Sequence, residues 1–190
     1  TARTHALALA EELDIPYREG LLRNRYVGRT FIMPDQTSRE TAVRTKLNPI
    51  IEEVKGKKVG LVDDSIVRGT TSKKLVNLVK SAGAEEVHFL VGCPPIVAPC
   101  YYGIDMPTKT ELKAANHTIE EIREDINADS LTYLKIKGLV SGISMSKNKL
   151  CLGCLTEDYP TQVREDIRKY FKEMRKEERK KVAKDQKGCC

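Results

Sequence analysis

Two adjacent carboxylates stand at the end of an apolar run, within the segment Leu61-Val62-Asp63-Asp64-Ser65-Ile66-Val67-Arg68-Gly69-Thr70-Thr71. Carboxylates accept hydrogen bonds from sugar hydroxyls, and their oxygens are ligands for Mg²⁺. The Ser and Thr hydroxyls can donate hydrogen bonds, and Gly69 lets a ligand approach the backbone closely. Together these residue types suit one task, which is to hold a sugar phosphate beside a metal ion. The alternative is that the Asp-Asp pair is only a turn and a helix cap.

The elements around this segment must position its side chains. Val59–Val62 is predicted to be a strand, and Ser72–Ala82 a helix with Gly83 just past its end. The turn between them therefore lies at the carboxyl end of a strand and the amino end of a helix, where backbone N–H groups favour a phosphate. Because ligands of parallel sheets bind beyond the carboxyl ends of the strands, Asp63 and Asp64 are placed where a substrate should lie.

The rest of the chain alternates between helical and strand patterns. A capping box at Thr118 predicts a helix through Ile126, and Cys93-Pro94-Pro95 ends a preceding strand. The further predictions are a helix at Thr4–Leu13, partial helix at Glu40–Val54 interrupted by Pro49, strands at Val87–Gly92 and Leu131–Ile136, and a helical turn at Leu139–Ser144. This alternation predicts an α/β fold with a mostly parallel sheet flanked by helices.

Composition excludes several classes of protein. With 190 residues, of which 40% are hydrophobic and 32% charged, the chain is not disordered and one domain is the default. No apolar run approaches the roughly 20 residues of a membrane span, and no signal peptide is visible, so we expect a cytoplasmic protein without membrane contact. Trp is absent and aromatics are 5%, which makes a base-stacking nucleic-acid surface an unfavoured interpretation.

The net charge of +6 is concentrated in Lys169–Lys187, which is rich in Lys, Arg and Glu and contains neither Gly nor Pro. The favoured interpretation is a solvated C-terminal helix with Glu–Lys pairs, and the alternative is a site for nucleic acid or an acidic partner.

Upstream, Arg25 and Arg29 flank Gly28. On spacing alone, a solvated hairpin is favoured there.

Six cysteines provide a second set of candidate ligands. Cys151 and Cys154 form a C-x-x-C pair, and Cys100 lies upstream. Taken alone, this pair favours a zinc or redox site over a cluster. Cys93 is interpreted as a core cysteine. The terminal Cys189 and Cys190 are interpreted as a frayed end, with metal ligation as the alternative.

The acidic segment resembles the phosphoribosyl pyrophosphate (PRPP) signature of type I phosphoribosyltransferases. The residues from Val62 to Thr71 are most similar to the amidophosphoribosyltransferase family. The similarity extends over nearly the whole chain. It includes Asn24–Ile32, Arg39, Val43, Lys46, Leu47, Pro95, Cys100, Tyr102–Asp105 and Cys151–Cys154.

The resemblance implies a type I phosphoribosyltransferase fold over residues 1–145, followed by a cysteine-containing segment and basic helix over 146–190. It implies transfer of glutamine-derived ammonia to the anomeric carbon of PRPP, which yields 5-phosphoribosylamine and pyrophosphate and opens purine synthesis. The family's N-terminal glutaminase domain is not in this sequence, which is expected to begin inside the second domain at Thr1. Purine nucleotides as inhibitors and a homo-oligomeric full-length enzyme are also implied.

The resemblance also implies roles for individual residues. Asp63 and Asp64 would bind the ribose hydroxyls and Mg²⁺, with Thr1 at a position where the family often has a metal-contacting Ser. The 5′-phosphate would be held by the following turn, which contains Ser65, Arg68, Gly69, Thr70 and Thr71. A loop would close over PRPP and neutralise the leaving pyrophosphate through Arg25, Tyr26, Arg29 and Lys46.

Some family members carry a [4Fe–4S] cluster, and three of its ligands match Cys100, Cys151 and Cys154. The fourth would lie upstream of Thr1. Since four thiolates are the usual complement, this sequence is expected to lack one ligand.

Two rival interpretations remain. A nucleobase-salvage phosphoribosyltransferase should have a base-recognition hood and no C-x-x-C pair, so Cys151 and Cys154 count against it. A PRPP-sensing regulator without catalytic activity usually has a DNA-binding domain, and none is visible in the sequence. The Arg25–Arg29 loop favours catalysis, because sensing does not require a closing lid.

Overall fold

A computed structural model describes residues 2–23, 47–104, 106, 108–167, 169–170 and 173–174. The strands are β1 (Leu21–Arg23), β2 (Leu47–Pro49), β3 (Lys58–Asp63), β4 (Glu86–Val91) and β5 (Ser130–Tyr133). The α-helices are α1 (Arg3–Glu12), α2 (Ile51–Val54), α3 (Thr70–Ser81), α4 (Lys113–Asn116), α5 (Ile119–Ile126), α6 (Ile136–Ile143) and α7 (Gly153–Thr156). Short 3₁₀ turns cover Lys109–Glu111 and Lys147–Lys149.

The central sheet has the order β3-β4-β5, and its strands are parallel. The register pairs Asp63 with Val91 and Val91 with Tyr133, so all three strands end on the same row. Whatever follows these strands is therefore delivered to one edge of the sheet. β1 and β2 form a separate antiparallel pair.

Helices α3 and α5 cover one face of the sheet. On β4, Val87 and Phe89 are fully buried and Val91 nearly so, and the intervening residues are only partly buried. This alternation follows from the two-residue period of a strand. Val76 of α3 and Ile122 of α5 are also completely buried. Each such side chain contributes about 1.5–3 kcal/mol by leaving water, so this layer fixes α3 relative to the sheet.

The capping box predicted at Thr118 is confirmed. The Thr118 Oγ1 accepts the N–H of Glu121 at 3.2 Å, and the Glu121 carboxylate accepts the N–H of Thr118 at 2.7 Å. The helix ends where Asn127 adopts a left-handed conformation with φ of 62°. Gly83, at φ of +95°, follows α3 as expected.

Two sequence predictions need correction. The strand predicted at Leu131–Ile136 ends at Tyr133, and Ile136 instead begins α6. Its apolar residues at 136, 139, 140 and 143 have helical spacing, which overrides the short alternation before them. In the segment predicted to be partly helical, Glu40–Val54, residues 40–46 lie outside the described residues, Leu47–Pro49 is a strand and Ile51–Val54 is helical. Pro49 ends this strand.

Some predictions fall on residues that are not described. Within Lys169–Lys187, residues 169–170 and 173–174 are helical, and the others lie outside the described residues. The division at residue 145 stays a prediction. Among the described residues, no helix has the length and apolar character that crossing a bilayer requires.

Candidate active site at the carboxyl edge of the sheet

Strand β3 delivers the acidic pair to the edge of the sheet. Asp63 is half-buried and Asp64 is exposed. The Asp64 N–H donates to Asp63 Oδ1 at 2.9 Å, and the Asp63 carbonyl accepts the N–H of Gly92 at 2.9 Å. Burial raises the pKa of Asp63, although the hydrogen bond from Asp64 opposes that shift. A cation or a hydroxyl donor would relieve this desolvated carboxylate.

The turn after the acidic pair leads directly into α3. Gly69 is buried and stands at the N-cap with φ of +79°, a left-handed conformation in which a side chain would be strained. It provides no side-chain cap for the helix. The N–H groups of the first turn of α3 are therefore presented near the carboxylates, where an anion can accept them.

The turn is also contacted by residues of the 3₁₀ turn and of α4 that the sequence analysis missed. Arg68 forms an ion pair with Glu111 at 3.4 Å, and Glu111 also accepts the N–H of Thr108 at 3.1 Å. Lys113 donates its N–H to the Val67 carbonyl at 2.8 Å. A local signal marks Glu111, because Thr108 and Glu111 form the T-x-x-E pattern of a capping box. No local pattern marks Lys113, because its contact with Val67 depends on how the chain folds back.

Several residues of the predicted site cannot be placed. Thr1 and the loop residues Arg25, Tyr26, Arg29 and Lys46 lie outside the described residues. The acidic pair and the residues Ser65, Arg68, Gly69, Thr70 and Thr71 are described, and the fold brings them to one edge. Ser65 Oγ donates to Asp64 Oδ1 at 3.4 Å.

A second cluster, here called the cysteine corner, consists of Cys100, Cys151 and Cys154. The Cys154 carbonyl accepts the N–H groups of Val97 and Ala98 at 2.9 and 3.0 Å, which ties α7 to the segment after β4. Burial raises the pKa of the Cys154 thiol, and the neighbouring Cys100 and Cys151 add to the shift. The segment after β4 therefore lies beside the C-x-x-C segment.

A glycine permits this approach. A Cβ built on Gly153 would lie 2.4 Å from Cδ1 of Tyr159, so the ring occupies the space of a side chain. The Tyr159 hydroxyl donates to the Pro99 carbonyl at 2.7 Å, and its ring lies edge-on to Tyr101 with 5.1 Å between centroids. Gly153 and Tyr159 thus seat the C-x-x-C segment on the sheet domain.

The corner does not form a complete metal site. Within the described ranges, no three His, Cys, Asp or Glu side chains converge closely enough to hold a metal ion. The three cysteines therefore share a corner without forming a preformed ligand set, and this geometry alone does not show an iron–sulfur site. Cys93 packs against the core, and burial raises its pKa, with Cys154 and Asp64 adding to the shift.

Comparison with known proteins agrees with this geometry. Residues 2–113 match the family described as phosphoribosyl transferase domain. The amidophosphoribosyltransferase of Methanothermobacter thermautotrophicus is 56% identical over 165 residues, which are 87% of this chain and 35% of that protein. The one from Methanocaldococcus jannaschii is 59% identical over 84% of this chain and 34% of its own length.

A solved structure gives the same result. The glutamine PRPP amidotransferase from B. subtilis, complexed with ADP and GMP, superposes with a TM-score of 0.76 at 50% identity, covering 85% of this chain and 36% of that one. The chain thus spans about a third of the length of the curated relatives it matches. The strand, the acidic pair and the glycine turn agree with these matches, which establish that the chain belongs to the phosphoribosyltransferase domain family and resembles the corresponding part of amidophosphoribosyltransferases.

Proposed function

We propose that this chain is the PRPP-binding, glycosyl-transferring portion of an amidophosphoribosyltransferase. In the whole enzyme, ammonia released from glutamine by another domain attacks the anomeric carbon of PRPP, giving 5-phosphoribosylamine and pyrophosphate. This is the opening step of purine synthesis. The observation that carries the proposal is the half-buried Asp63 beside an uncapped helix start at the carboxyl edge of a parallel sheet.

We propose that different groups hold the ribose and the 5′-phosphate of the substrate. Asp63 and Asp64 accept hydrogen bonds from the ribose hydroxyls, while the N–H groups of the turn and of the first turn of α3 hold the 5′-phosphate. Ser65, Thr70 and Thr71 add hydroxyl donors, and Arg68 adds charge. Ammonia is already a nucleophile, so no general base is needed. The site acts by positioning and by charge.

The acidic pair fits Mg²⁺ bound together with the substrate. Mg²⁺ typically takes one or two carboxylates and completes its shell with substrate phosphates and water. Asp63, which is half-buried, and the exposed Asp64 would supply these carboxylates at the edge of the sheet. When bound, the ion would neutralise charge on the pyrophosphate, and Thr1 is a further candidate ligand.

Calorimetry on the acidic pair tests the proposal. The double variant Asp63→Asn with Asp64→Asn should lose Mg²⁺-dependent PRPP binding while it stays folded. A matched control removes another adjacent acidic pair, Glu11→Gln with Glu12→Gln, which is exposed on α1. A folded Asp63/Asp64 variant with unchanged PRPP affinity would contradict the proposal, as would equal losses in the control.

The loop residues Arg25, Tyr26, Arg29 and Lys46 are proposed to meet the leaving pyrophosphate. Cationic side chains stabilise negative charge most strongly where that charge develops, so they act mainly on turnover. In the two-domain protein, or in this chain supplied with ammonia, Arg29→Ala should lower turnover more than ribose 5-phosphate affinity. Equal losses of both would argue against this role.

The cysteine corner is proposed to ligate a [4Fe–4S] cluster with a fourth ligand from outside these three residues. The Tyr102 N–H donates to Cys100 Sγ at 3.3 Å, which would stabilise a thiolate ligand. Metal binding can itself complete a ligand set that is not preformed. Iron and sulfide analysis of anaerobically purified full-length protein tests this. Cys154→Ser should lower both, and Cys93→Ser should not.

Regulation and assembly are proposed on the same likeness. The B. subtilis relative is complexed with ADP and GMP, so purine nucleotides are proposed inhibitors, and the whole enzyme is proposed to be a cytoplasmic homo-oligomer. Residues 1–145 are proposed to form the catalytic domain and 146–190 its cysteine-containing extension. Inhibition assays and light scattering on the full-length protein test these points.

A further inference from the structure

A lysine beneath the phosphate-facing turn is not used by the proposed reaction. Lys113, the first residue of α4, donates its N–H to the Val67 carbonyl at 2.8 Å. Its aliphatic chain runs along Gly69, since a Cβ built there would lie 3.7 and 3.8 Å from its Cγ and Cδ. The side chain is only 16% exposed. Lys113 therefore contacts the turn with both its backbone and its side chain.

The ammonium of Lys113 is held by a carboxylate on another helix. Asp125 of α5 accepts it through Oδ2 at 2.7 Å, and the other oxygen, Oδ1, accepts Lys73 of α3 at 3.2 Å. These two lysines lower the pKa of Asp125, so the group is an anion at neutral pH. One carboxylate thus links α3, α4 and α5 beneath the turn.

We propose that Lys113 and Asp125 are positioning residues that hold the turn in its anion-binding conformation without contacting the ligand. Gly69 must keep its left-handed conformation for the N–H groups to face the phosphate, and the Lys113 chain packs against it there. A turn ordered in advance loses less entropy when it binds.

This inference rests on the proposed function, because it assumes that the turn binds the 5′-phosphate. The test titrates the 190-residue chain with ribose 5-phosphate and with Mg²⁺–PRPP by calorimetry. Lys113→Met keeps an aliphatic chain against Gly69 and removes the ammonium. It should raise Kd for both ligands about fivefold, an effect typical of residues that act on a ligand indirectly. Asp125→Asn should act in the same direction, and Lys113→Arg should restore most of the affinity.

The chain offers a matched control at the other end of α3. Lys80, at the end of α3, is 28% exposed and pairs with Asp129 at 3.1 Å. Lys80→Met removes a comparable ion pair between elements away from the turn, so it should leave both Kd values unchanged. Mg²⁺–pyrophosphate, which has no 5′-phosphate, should bind Lys113→Met and the wild type alike.

The outcomes separate this inference from the function on which it rests. If the wild-type chain binds ribose 5-phosphate and Lys113→Met binds it equally well, the positioning role is overturned. Equal losses in Lys113→Met and Lys80→Met overturn it too, because they indicate general destabilisation. If Lys113→Met does not fold, an unchanged Kd in Asp125→Asn is decisive against it. Wild-type chain that binds neither sugar phosphate refutes the proposed function and this inference with it.

Discussion

Replacing Gly153 with alanine should destabilise the cysteine corner by about 2 kcal/mol. The new Cβ would lie 2.4, 2.8 and 3.1 Å from three ring atoms of Tyr159. The ring must retreat by about 1 Å to reach an ordinary contact distance. That movement breaks the 2.7 Å hydrogen bond to Pro99, worth about 1 kcal/mol, and loosens the contact with Tyr101. Overpacking of this kind costs about 1–3 kcal/mol, and the helix preference of alanine offsets up to about 1 kcal/mol.

The assay combines denaturant unfolding with hydrogen exchange at Val97 and Ala98, whose amides donate to the Cys154 carbonyl. Gly142→Ala is the matched control, because it also places alanine in a helix but its new Cβ meets no described atom within 4 Å beyond the neighbouring backbone of its own helix. Gly142→Ala should be neutral or slightly stabilising. Adding Tyr159→Ala to Gly153→Ala should remove most of the clash. A Gly153→Ala chain with wild-type stability and unchanged protection at both amides would refute the reasoning.

Three further predictions concern the sheet edge and α5. The buried Tyr133 hydroxyl has no hydrogen-bond partner among the described residues, and burial raises the pKa of Tyr133 to about 12. Tyr133→Phe should therefore leave the unfolding free energy unchanged or raise it by up to about 1 kcal/mol; a clear loss in denaturant titration would contradict this. Burial raises the pKa of Asp63 above 3.8 in the folded state, so the folded state binds a proton on Asp63 more tightly than the unfolded state does. Stability therefore falls as the pH rises through the folded pKa and the buried carboxyl becomes charged. Asp63→Asn should therefore raise Tm at about pH 7.5 but not at about pH 3, where both states are protonated; equal shifts at both pH values would speak against this. Thr118→Ala should cost about 1 kcal/mol through the lost cap, and helix exchange rates that match the wild type would count against it.

The strand, turn and helix around Asp63 were predictable from sequence because the information is local. An apolar run, two acids and a Gly-Thr-Thr turn lie within a few residues of one another. The α5 start was predictable for the same reason, since a capping box joins residues three apart. At Ile136 two local patterns overlap, and the helical spacing that begins there prevails because β5 has already reached the end of its partner β4 at Tyr133.

The sequence by itself determined the residue types at the site and the element that carries each of them. Only the tertiary structure decided that the Lys113 side chain packs against the turn at Gly69, and that the Tyr159 ring fills the space where a side chain at position 153 would lie. It also decided that Asp63, Val91 and Tyr133 end on one row. The physical reason is that these contacts join residues far apart in the chain. Their distances are set by how α3 and α5 pack on the sheet, and no local pattern encodes that packing.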